Sequence, residues 1–255
     1  MLHLKAADVV AGLKHGALLG LAACAVLLPS GRSERSDDRG TPTLTQTGVA
    51  EPDRRGTAND RRAQFGGQLP SWQAKAVADW VVDSNDHRDR PFAILDKMGA
   101  KLFVFDKAAQ FLGSSMVLLG SAIGDETLGS VRDKPLATIS PEERTTPAGR
   151  FVSEAGHDSS GESVIWVDYD AAVAIHRVQV IDPKERRFER MATSSAEDKR
   201  ISNGCINVPW GFFETVVRPA LADSRGVVYI LPDVKELHHV FPGFYDVVGQ
   251  SQKGR

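Results

Sequence analysis

Hydrophobic and polar positions divide this chain into an apolar leader, a polar stretch and a body of short apolar runs. Residues 30–64 contain almost no large apolar side chains, whereas residues 90–235 are rich in Val, Ile, Leu and Phe. Short runs of this composition, separated by Gly, Asp, Lys and Pro, are typical of β-strands. They lie at 92–95, 102–105, 111–119, 150–154, 163–168, 172–180 and 227–231.

Two segments have helical periodicity instead. After Ser71, a candidate N-cap, Trp72, Ala76, Val77, Trp80 and Val81 follow the spacing of an amphipathic helix, which should end by the polar cluster 83–90. A second helix is predicted from Pro209, with Phe212, Phe213, Val216 and Val217 on one face and Pro219 bending or ending it. The fold class predicted is therefore mainly β with a few flanking helices.

The leader has the layout of a secretory signal. Lys5 and Lys14 precede the apolar run 16–28, which Pro29 ends. Residues 1–30 are predicted to be a signal sequence or membrane anchor and residues 31–64 a disordered linker. The segment ending at Cys24 resembles a lipoprotein box, so cleavage, retention as an uncleaved anchor and lipidation all stay open. Each alternative predicts an exported protein of the periplasm or cell envelope.

The rest of the chain is predicted to form one folded domain. Residues 65–89 would supply a helix that packs on the domain, residues 90–235 the body, and residues 236–255 a C-terminal tail. The formal net charge of −2 argues against a nucleic-acid partner bound through a basic surface. Nothing in the pattern defines the oligomeric state.

Cysteine usage singles out Cys205. The chain has two cysteines, and one of them, Cys24, lies in the leader. A single leftover cysteine in an oxidising compartment suggests a reactive thiol or an intermolecular disulfide. Gly204 precedes Cys205 ahead of the predicted helix, where backbone N–H groups would favour a thiolate and hold an oxyanion. The alternative is a small, buried, structural cysteine.

His176 is the candidate general base. It closes the apolar strand 171–175, so its imidazole would project from a rigid element. A neutral imidazole can deprotonate a thiol within hydrogen-bond reach. Spacing along the chain does not establish that contact, and a structural or surface histidine is the alternative.

Several motifs together resemble the L,D-transpeptidase catalytic domain. Ser202, Gly204, Cys205 and Asn207 match its Ser-His-Gly-Cys-x-Asn motif, and Ile175-His176 matches its upstream histidine. The segment 146–151 is similar to a Thr-Pro-x-Gly-x-Phe turn of that family, and 92–96 with 102–106 is similar to its opening hairpin. The likeness covers about residues 90–232 and implies an L,D-transpeptidase-like β-sandwich for the body, with residues 90–235 as the catalytic domain.

Two features depart from the family pattern. Asn203 stands where the motif has histidine, and the stretch between His176 and the cysteine motif is longer than usual. Its polar part, residues 181–199, is predicted to be a loop that flanks the site. These departures indicate a divergent member.

The resemblance implies a mechanism and a partner. His176, oriented by the Arg177 carbonyl, would take the Cys205 proton, and the thiolate would attack a peptidoglycan stem peptide and release D-alanine. Backbone N–H groups of Gly204 and Cys205 would hold the oxyanion. An amine would then resolve the thioester into a 3,3 cross-link, whereas water would give a carboxypeptidase. The residues expected to bind substrate are Ser202, Asn203, Asn207, Arg200 and Arg177, the two arginines being equally interpretable as surface residues.

No metal or other cofactor is predicted. His87, His157 and the pair His238-His239 have no companion cysteine or carboxylate at ligand spacing. Two alternatives to the transpeptidase stay open: a catalytically inactive cell-wall binding or scaffolding protein, and a thiol amidohydrolase that uses the same dyad.

Overall fold

The structure, a computed structural model, describes residues 62–127, 134–135, 138–180 and 182–253. The chain divides into the units Met1–Pro52 and Asp53–Arg255, and all described residues belong to the second. The predicted signal or anchor, Cys24 and nearly all of the predicted linker therefore lie outside the described residues. The domain boundaries drawn from the sequence stay predictions.

Strands outnumber helices in the described part of the chain and form its sheets, which confirms the prediction of a mainly β domain. In chain order they are β1 (Phe92–Asp96), β2 (Lys101–Phe105), β3 (Phe111–Met116), β4 (Leu119–Gly120), β5 (Gly149–Val152), β6 (Glu154–His157), β7 (Ser163–Asp168), β8 (Val173–Arg177), β9 (Arg200–Ser202), β10 (Ile206–Val208) and β11 (Val227–Ile230).

A few helices accompany the strands. They are α1 (Trp72–Ser84), α2 (Arg187–Ala192), α3 (Trp210–Phe212), a π-helical turn (Phe213–Val217), α4 (Arg218–Leu221), α5 (Leu237–Val240) and α6 (Val247–Lys253). Short 3-10 turns cover Pro141–Glu143, Pro183–Glu185 and Glu197–Lys199. In the described part of the chain, no helix combines the length and apolar character needed to cross a membrane.

The larger sheet has the strand order β3-β2-β1-β11-β5. β1 lies at its centre, parallel to β11 and antiparallel to β2. All five residues of β1 are buried, with Phe92 and Ile94 in one apolar cluster and Ala93 and Leu95 in another. A strand covered on both faces needs apolar residues on both, which explains its unbroken apolar run.

The second sheet has the order β10-β8-β7-β6, and β4 pairs with β9 in a small separate sheet. Ala93, Leu95 and Val228 of the larger sheet share one apolar cluster with Ile175 and Ile206 of the second. The two sheets therefore pack face to face, as predicted for a β-sandwich. Phe213, Val217 and Leu221 of the helical segment after β10 complete this core.

Helix α1 covers the other face of the larger sheet. The Ser71 hydroxyl accepts a hydrogen bond from Ala74 N at 3.1 Å, which confirms the predicted N-cap. Val77, Ala78 and Val81 are fully buried against that sheet. Phe65, ahead of the helix, belongs to the same cluster.

The segment between His176 and the cysteine motif is more regular than predicted. It carries α2 between two 3-10 turns, so the expectation of a loop is wrong for its central part. Buried Arg187 and Met191 of α2 face the domain, which explains why a polar sequence is ordered here. The helical segment after Pro209 is present, and it continues past Pro219 to Leu221.

Candidate active site

Parallel pairing of β8 and β10 brings the two candidate catalytic segments together. Asn207 lies directly opposite His176 in this ladder, and Ile206 lies opposite Ile175. Cys205 immediately precedes β10, two residues before Asn207, so its side chain shares a face with His176 and Asn207. Cys205 and His176 are therefore diagonal neighbours when the ladder is extended by one residue, a separation that aromatic and long side chains can span.

The His176 ring has a defined tautomer. Its Nδ1 lies 2.8 Å from the carbonyl oxygen of Arg177, and a carbonyl only accepts, so Nδ1 carries the proton. This leaves Nε2 with a lone pair. Burial is the main cause of a lowered His176 pKa, and the nearby Arg187 charge adds to it. The ring is therefore neutral and can accept a proton at Nε2.

The Cys205 thiol is half-buried and protonated at rest. Sγ donates to the carbonyl oxygen of Ala172 at 3.4 Å. Burial raises the pKa of this thiol above its ordinary value. The expectation that a helix start stabilises a thiolate is wrong, because strand β10 follows Cys205 and the helical segment begins only at Trp210.

The loop that presents Cys205 is held by internal hydrogen bonds. The Ser202 hydroxyl donates to Cys205 O at 2.6 Å and accepts from Gly204 N at 3.1 Å. On the other side, Thr146 Oγ1 donates to Gly204 O at 2.8 Å and accepts from Gly120 N at 2.9 Å. Three of these four hydrogen bonds are buried and the Ser202–Cys205 bond is partly buried, so the loop is held on both sides.

Gly204 is required by its backbone conformation. Its φ is +126°, a region that residues with a side chain rarely adopt. A Cβ at this position would also lie 2.8 Å from the carbonyl oxygen of Thr145. The glycine before the cysteine therefore serves close packing of the loop against the Thr145-Thr146 segment.

Asn207 links the histidine to a buried arginine. Its Nδ2 lies 3.5 Å from His176 Nε2 and donates to Cys205 O at 3.3 Å. Its Oδ1 accepts from Arg187 Nη1 at 2.8 Å. Arg187 Nε in turn pairs with Glu185 Oε2 at 2.6 Å. Asn207 is fully buried, so it lies behind the thiol and not on the open surface.

The remaining predicted substrate residues differ in accessibility. Asn203 is exposed beside Cys205. Arg177 is paired with Glu162 and, at 3.1 Å, with Glu214. Arg200 is paired with Asp233 at 2.6 Å and also donates to Ala122 O. Both guanidinium groups therefore already have carboxylate partners.

A cavity of about 660 Å³ adjoins the cysteine loop. Ser121, Ile123, Glu142, Thr145 and Val234 are among its lining residues. Thr145 supplies the contact with Gly204, and Ser121 N donates to Ser202 O at 2.9 Å. Thr145 thus links the cavity to the cysteine loop, whereas Cys205 and His176 are not among the lining residues.

Two residues of this site escaped the sequence reasoning. Thr146 was noticed only as part of a turn motif, yet its hydroxyl supports the cysteine loop. Arg187 lies in a segment predicted to be a solvated loop, yet it is buried beside Asn207. Phe188 and Met191, three positions apart just after the arginine, were the available signal that this segment forms a helix.

Comparisons with known proteins give solved structures with low overall similarity. An L,D-transpeptidase from Mycobacterium smegmatis is 14% identical over 56% of this chain and 58% of that chain, with a TM-score of 0.33. The L,D-transpeptidase LdtMt1 in complex with imipenem is 15% identical over 55% and 58%, with a TM-score of 0.30. An L,D-transpeptidase from Stackebrandtia nassauensis is 13% identical over 56% of each chain, with a TM-score of 0.32.

This chain thus spans a little over half the length of those solved chains. No protein-family model matches the sequence, and no curated protein matches it.

Proposed function

We propose that this chain is a cysteine acyltransferase of the L,D-transpeptidase type, acting on peptidoglycan stem peptides in the periplasm or cell envelope. One observation carries the proposal: Asn207, two residues after Cys205, lies opposite His176 in the β8–β10 ladder, and His176 Nδ1 donates to Arg177 O, which leaves Nε2 unprotonated. The motif around Cys205 supports the substrate class, and the apolar leader supports export.

The first half-reaction forms a thioester. The Cys205 sulfur attacks the acyl carbonyl of a stem peptide, and its proton passes to His176 Nε2. The new S–C bond gives a tetrahedral oxyanion. On collapse the C–N bond to the terminal D-alanine breaks, and the nitrogen takes the proton from His176.

The second half-reaction restores the free thiol. An amine of a second stem attacks the thioester carbonyl, gives up a proton to His176, and expels the Cys205 thiolate, which is reprotonated. The product is a 3,3 cross-link. Water in place of the amine gives a carboxypeptidase reaction with the same balance.

Oxyanion stabilisation falls to the backbone N–H of Cys205. The N–H of Gly204, the other expected donor, is directed to Ser202 Oγ. One well-placed donor contributes about 3 kcal/mol in acyl-transfer enzymes. In this assignment Gly204 and Ser202 shape the loop, and the exposed Asn203 is the side chain placed to contact the bound peptide.

We propose that the cavity next to Thr145 is the binding site of the acyl donor. Its lining combines apolar Ile123 and Val234 with carboxylates such as Glu142. Apolar contacts with a few fixed polar groups are typical of ligand sites. Because Arg177 and Arg200 are already paired, a substrate carboxylate would have to compete with Glu214 or Asp233 for them.

Covalent trapping by a carbapenem tests the proposal. The purified chain should gain the mass of one carbapenem, as read by intact mass spectrometry. The adduct should be absent in Cys205→Ala and should form at least 100-fold more slowly in His176→Ala, since general-base catalysis contributes about 10²–10⁴-fold. His157→Ala, which alters an exposed histidine on β6, is the matched control and should react normally.

Release of D-alanine from a stem tetrapeptide then tests the reaction itself. Incubation with muropeptides should yield free D-alanine together with a cross-linked or a trimmed product, and the ratio of those products separates transpeptidation from hydrolysis. A hydrolase of other amide bonds would release no D-alanine.

A second function, that of an inactive cell-wall binding protein, is favoured by the state of the thiol. Its pKa is raised and its hydrogen bond goes to the Ala172 carbonyl, which are properties of an unreactive cysteine. This second function predicts that the folded chain forms no carbapenem adduct between pH 6 and pH 9 and still sediments with isolated cell walls. That result would overturn the proposed transpeptidase activity.

A further inference from the structure

Arg187 lies in the largely polar connection between β8 and β9, where an arginine side chain is usually exposed to solvent. It is the first residue of α2 and is buried, although neighbouring Arg186 and Glu189 are exposed. Its guanidinium divides between two partners: Nε pairs with Glu185 at 2.6 Å and Nη1 donates to Asn207 Oδ1 at 2.8 Å. The long connection between β8 and β9 thus delivers a cation to the back of the Cys205–His176 site.

The bond to Arg187 decides which way the Asn207 amide points. Guanidinium only donates, so the Asn207 oxygen must face Arg187. The amide NH₂ must then face Cys205 O, at 3.3 Å, and His176 Nε2, at 3.5 Å. A flipped amide would set NH₂ against the guanidinium and present oxygen to Nε2, where it would stabilise a protonated imidazole.

We propose that Arg187 is a positioning residue for the Cys205–His176 pair: its hydrogen bond fixes the Asn207 amide so that the amide NH₂ faces His176 Nε2 and this nitrogen stays unprotonated. This inference rests on the function proposed above, in which Nε2 receives the thiol proton. The hydrogen-bond partners of the Arg187 guanidinium are Asn207 and Glu185, so its hydrogen-bonding effect on the pair passes through Asn207.

The positive charge of Arg187 shifts the pKa of His176 and the pKa of Cys205 in the same direction. Its charge lowers the pKa of His176 and the pKa of Cys205, although burial is the larger effect on each. The other charges that act on the pair are Asp158, which raises both pKa values, and Arg177, which lowers that of His176. Loss of Arg187 should therefore shift both titrations to higher pH.

Two measurements on purified full-length variants test this role. The first is the titration midpoint of His176, followed by NMR of the ring protons and assigned with His176→Gln. The second is the rate of Cys205 alkylation by iodoacetamide between pH 7 and pH 9.5, read by intact mass. In this range the rate follows the thiolate fraction, so a shift of about one pKa unit changes it about tenfold.

Arg187→Met should raise the His176 midpoint and slow alkylation about tenfold at each pH. Arg187→Lys keeps the charge and should restore most of both values. If Arg187→Met does not fold, Arg187→Gln, which keeps a donor for Asn207 but no charge, should shift both values in the same direction. Circular dichroism checks the fold of each variant.

Arg190→Met is the matched control. Arg190 lies in the same helix, and its guanidinium donates to the backbone carbonyls of Glu185 and Asp198. Its loss weakens the connection without removing the bond to Asn207, so His176 and Cys205 should titrate as in the wild type.

The proposal is overturned if folded Arg187→Met titrates like the wild type, or if Arg190→Met shifts both groups equally. Neither readout uses a peptidoglycan substrate. A chain that shows the Arg187 effects but never releases D-alanine would overturn the proposed function alone, and a chain that releases D-alanine without those effects would overturn the role of Arg187 alone.

Discussion

At the residue scale, the candidate site combines a protonated thiol, Cys205, with a neutral imidazole, His176. Burial pushes the pKa of Cys205 up and that of His176 down, so a thiolate–imidazolium pair is disfavoured before substrate binds. The proton would then move during attack on the carbonyl. Such a thiol reacts with a positioned acyl group faster than with a freely diffusing electrophile.

The pH dependence of two reactions tests this view. Acylation by a carbapenem needs unprotonated His176, whose pKa lies below the ordinary 6.5, so its rate should hold at pH 6.5 and fall only on further acidification. Alkylation by iodoacetamide needs a free thiolate, whose pKa lies above 9.0, so it should still be rising at pH 9. A plateau of alkylation near neutral pH would contradict the neutral pair.

Gly204→Ala should damage both stability and reactivity. The new Cβ would meet Thr145 O at 2.8 Å with φ at +126°, and strained backbone of this kind costs about 1–3 kcal/mol. Urea unfolding should show that loss, and carbapenem acylation should slow at least tenfold as Cys205 shifts.

Gly161→Ala is the control for this substitution. Gly161 also has a positive φ, +84°, but nothing lies within 4 Å of the added Cβ. It should lose some stability and keep the wild-type acylation rate. Equal loss of acylation in both variants would mean that the contact with Thr145 is irrelevant.

At the element scale, a buried ammonium group ties the end of β1 to the loops around the cavity. Lys97 follows β1 and is fully buried. Its Nζ lies 2.9 Å from Asp125 Oδ1 and 3.1 Å from Asp233 Oδ2, and it donates to Thr146 O at 2.9 Å. Thr146 then reaches the cysteine loop through Gly204 O.

Asp125→Asn should destabilise the fold strongly. Burial alone would raise the pKa of Asp125, but backbone N–H groups of Lys235, Asp233 and Val234 and the Lys97 ammonium lower it to about 2. The carboxylate therefore stabilises the fold above its unfolded pKa of 3.8, and this contribution of about 2 kcal/mol is lost as the pH falls towards 2. Urea unfolding at pH 7 should show a loss of at least that size.

Glu126→Gln is the control for Asp125→Asn. Glu126 pairs with Lys235 on the exposed surface, where an ion pair contributes at most about 1 kcal/mol. The free energy of unfolding of Glu126→Gln should stay within about 1 kcal/mol of the wild type at pH 7 and at pH 3, because the variant keeps Asp125 and its loss of stability in acid. A similar loss in both variants would show that burial of the Lys97 cluster contributes nothing.

The longer elements could be predicted from the sequence because their periodicity is strong. The apolar run of β1, buried on both faces, and the capped helix α1 lie where the pattern placed them. β9 and β10 have only three residues each, too few for a period, and pairing with distant strands defines them. Helix α2 was missed because its burial depends on two residues in a polar segment.

The candidate site shows the same contrast between features with a local sequence pattern and features that depend on distant residues. Local sequence indicated Cys205 and His176 as candidates, and the resemblance to a family motif added Asn207. Their shared face depends on the parallel register of β8 and β10, which no local pattern encodes. The partner of Asn207, Arg187, is a non-local contact of a long side chain, so it appears only in three dimensions.

At the scale of the whole molecule, the larger sheet is covered on one face by the second sheet and on the other by helices. The segment before α1 takes part in this outer layer. Phe65 is 7% exposed, and its ring packs edge-on against Phe103 at 5.1 Å and Phe105 at 5.3 Å. The ordered domain thus includes residues ahead of the first helix.

Phe65→Ala should lower the free energy of unfolding by about 3–5 kcal/mol, the usual cost of removing a buried phenylalanine. Leu69→Ala, four positions later at 92% exposure, should change it by less than about 0.5 kcal/mol. Urea denaturation of both variants compares them. If the two lose the same amount, the segment before α1 does not pack on the sheet in solution.

The parallel direction of β8 and β10 has a further consequence. Antiparallel neighbours can be joined by a tight hairpin, but parallel neighbours require a crossover, so the stretch from Val178 to Cys205 is a topological necessity. The backbone ladder holds the two strands in register whatever that crossover contains. Because the entropy of closing a loop grows only slowly with its length, the length of the crossover by itself has little effect on this register, whereas its residue Arg187 contacts Asn207. The long spacing between His176 and Cys205 is thus compatible with the register that sets Asn207 opposite His176.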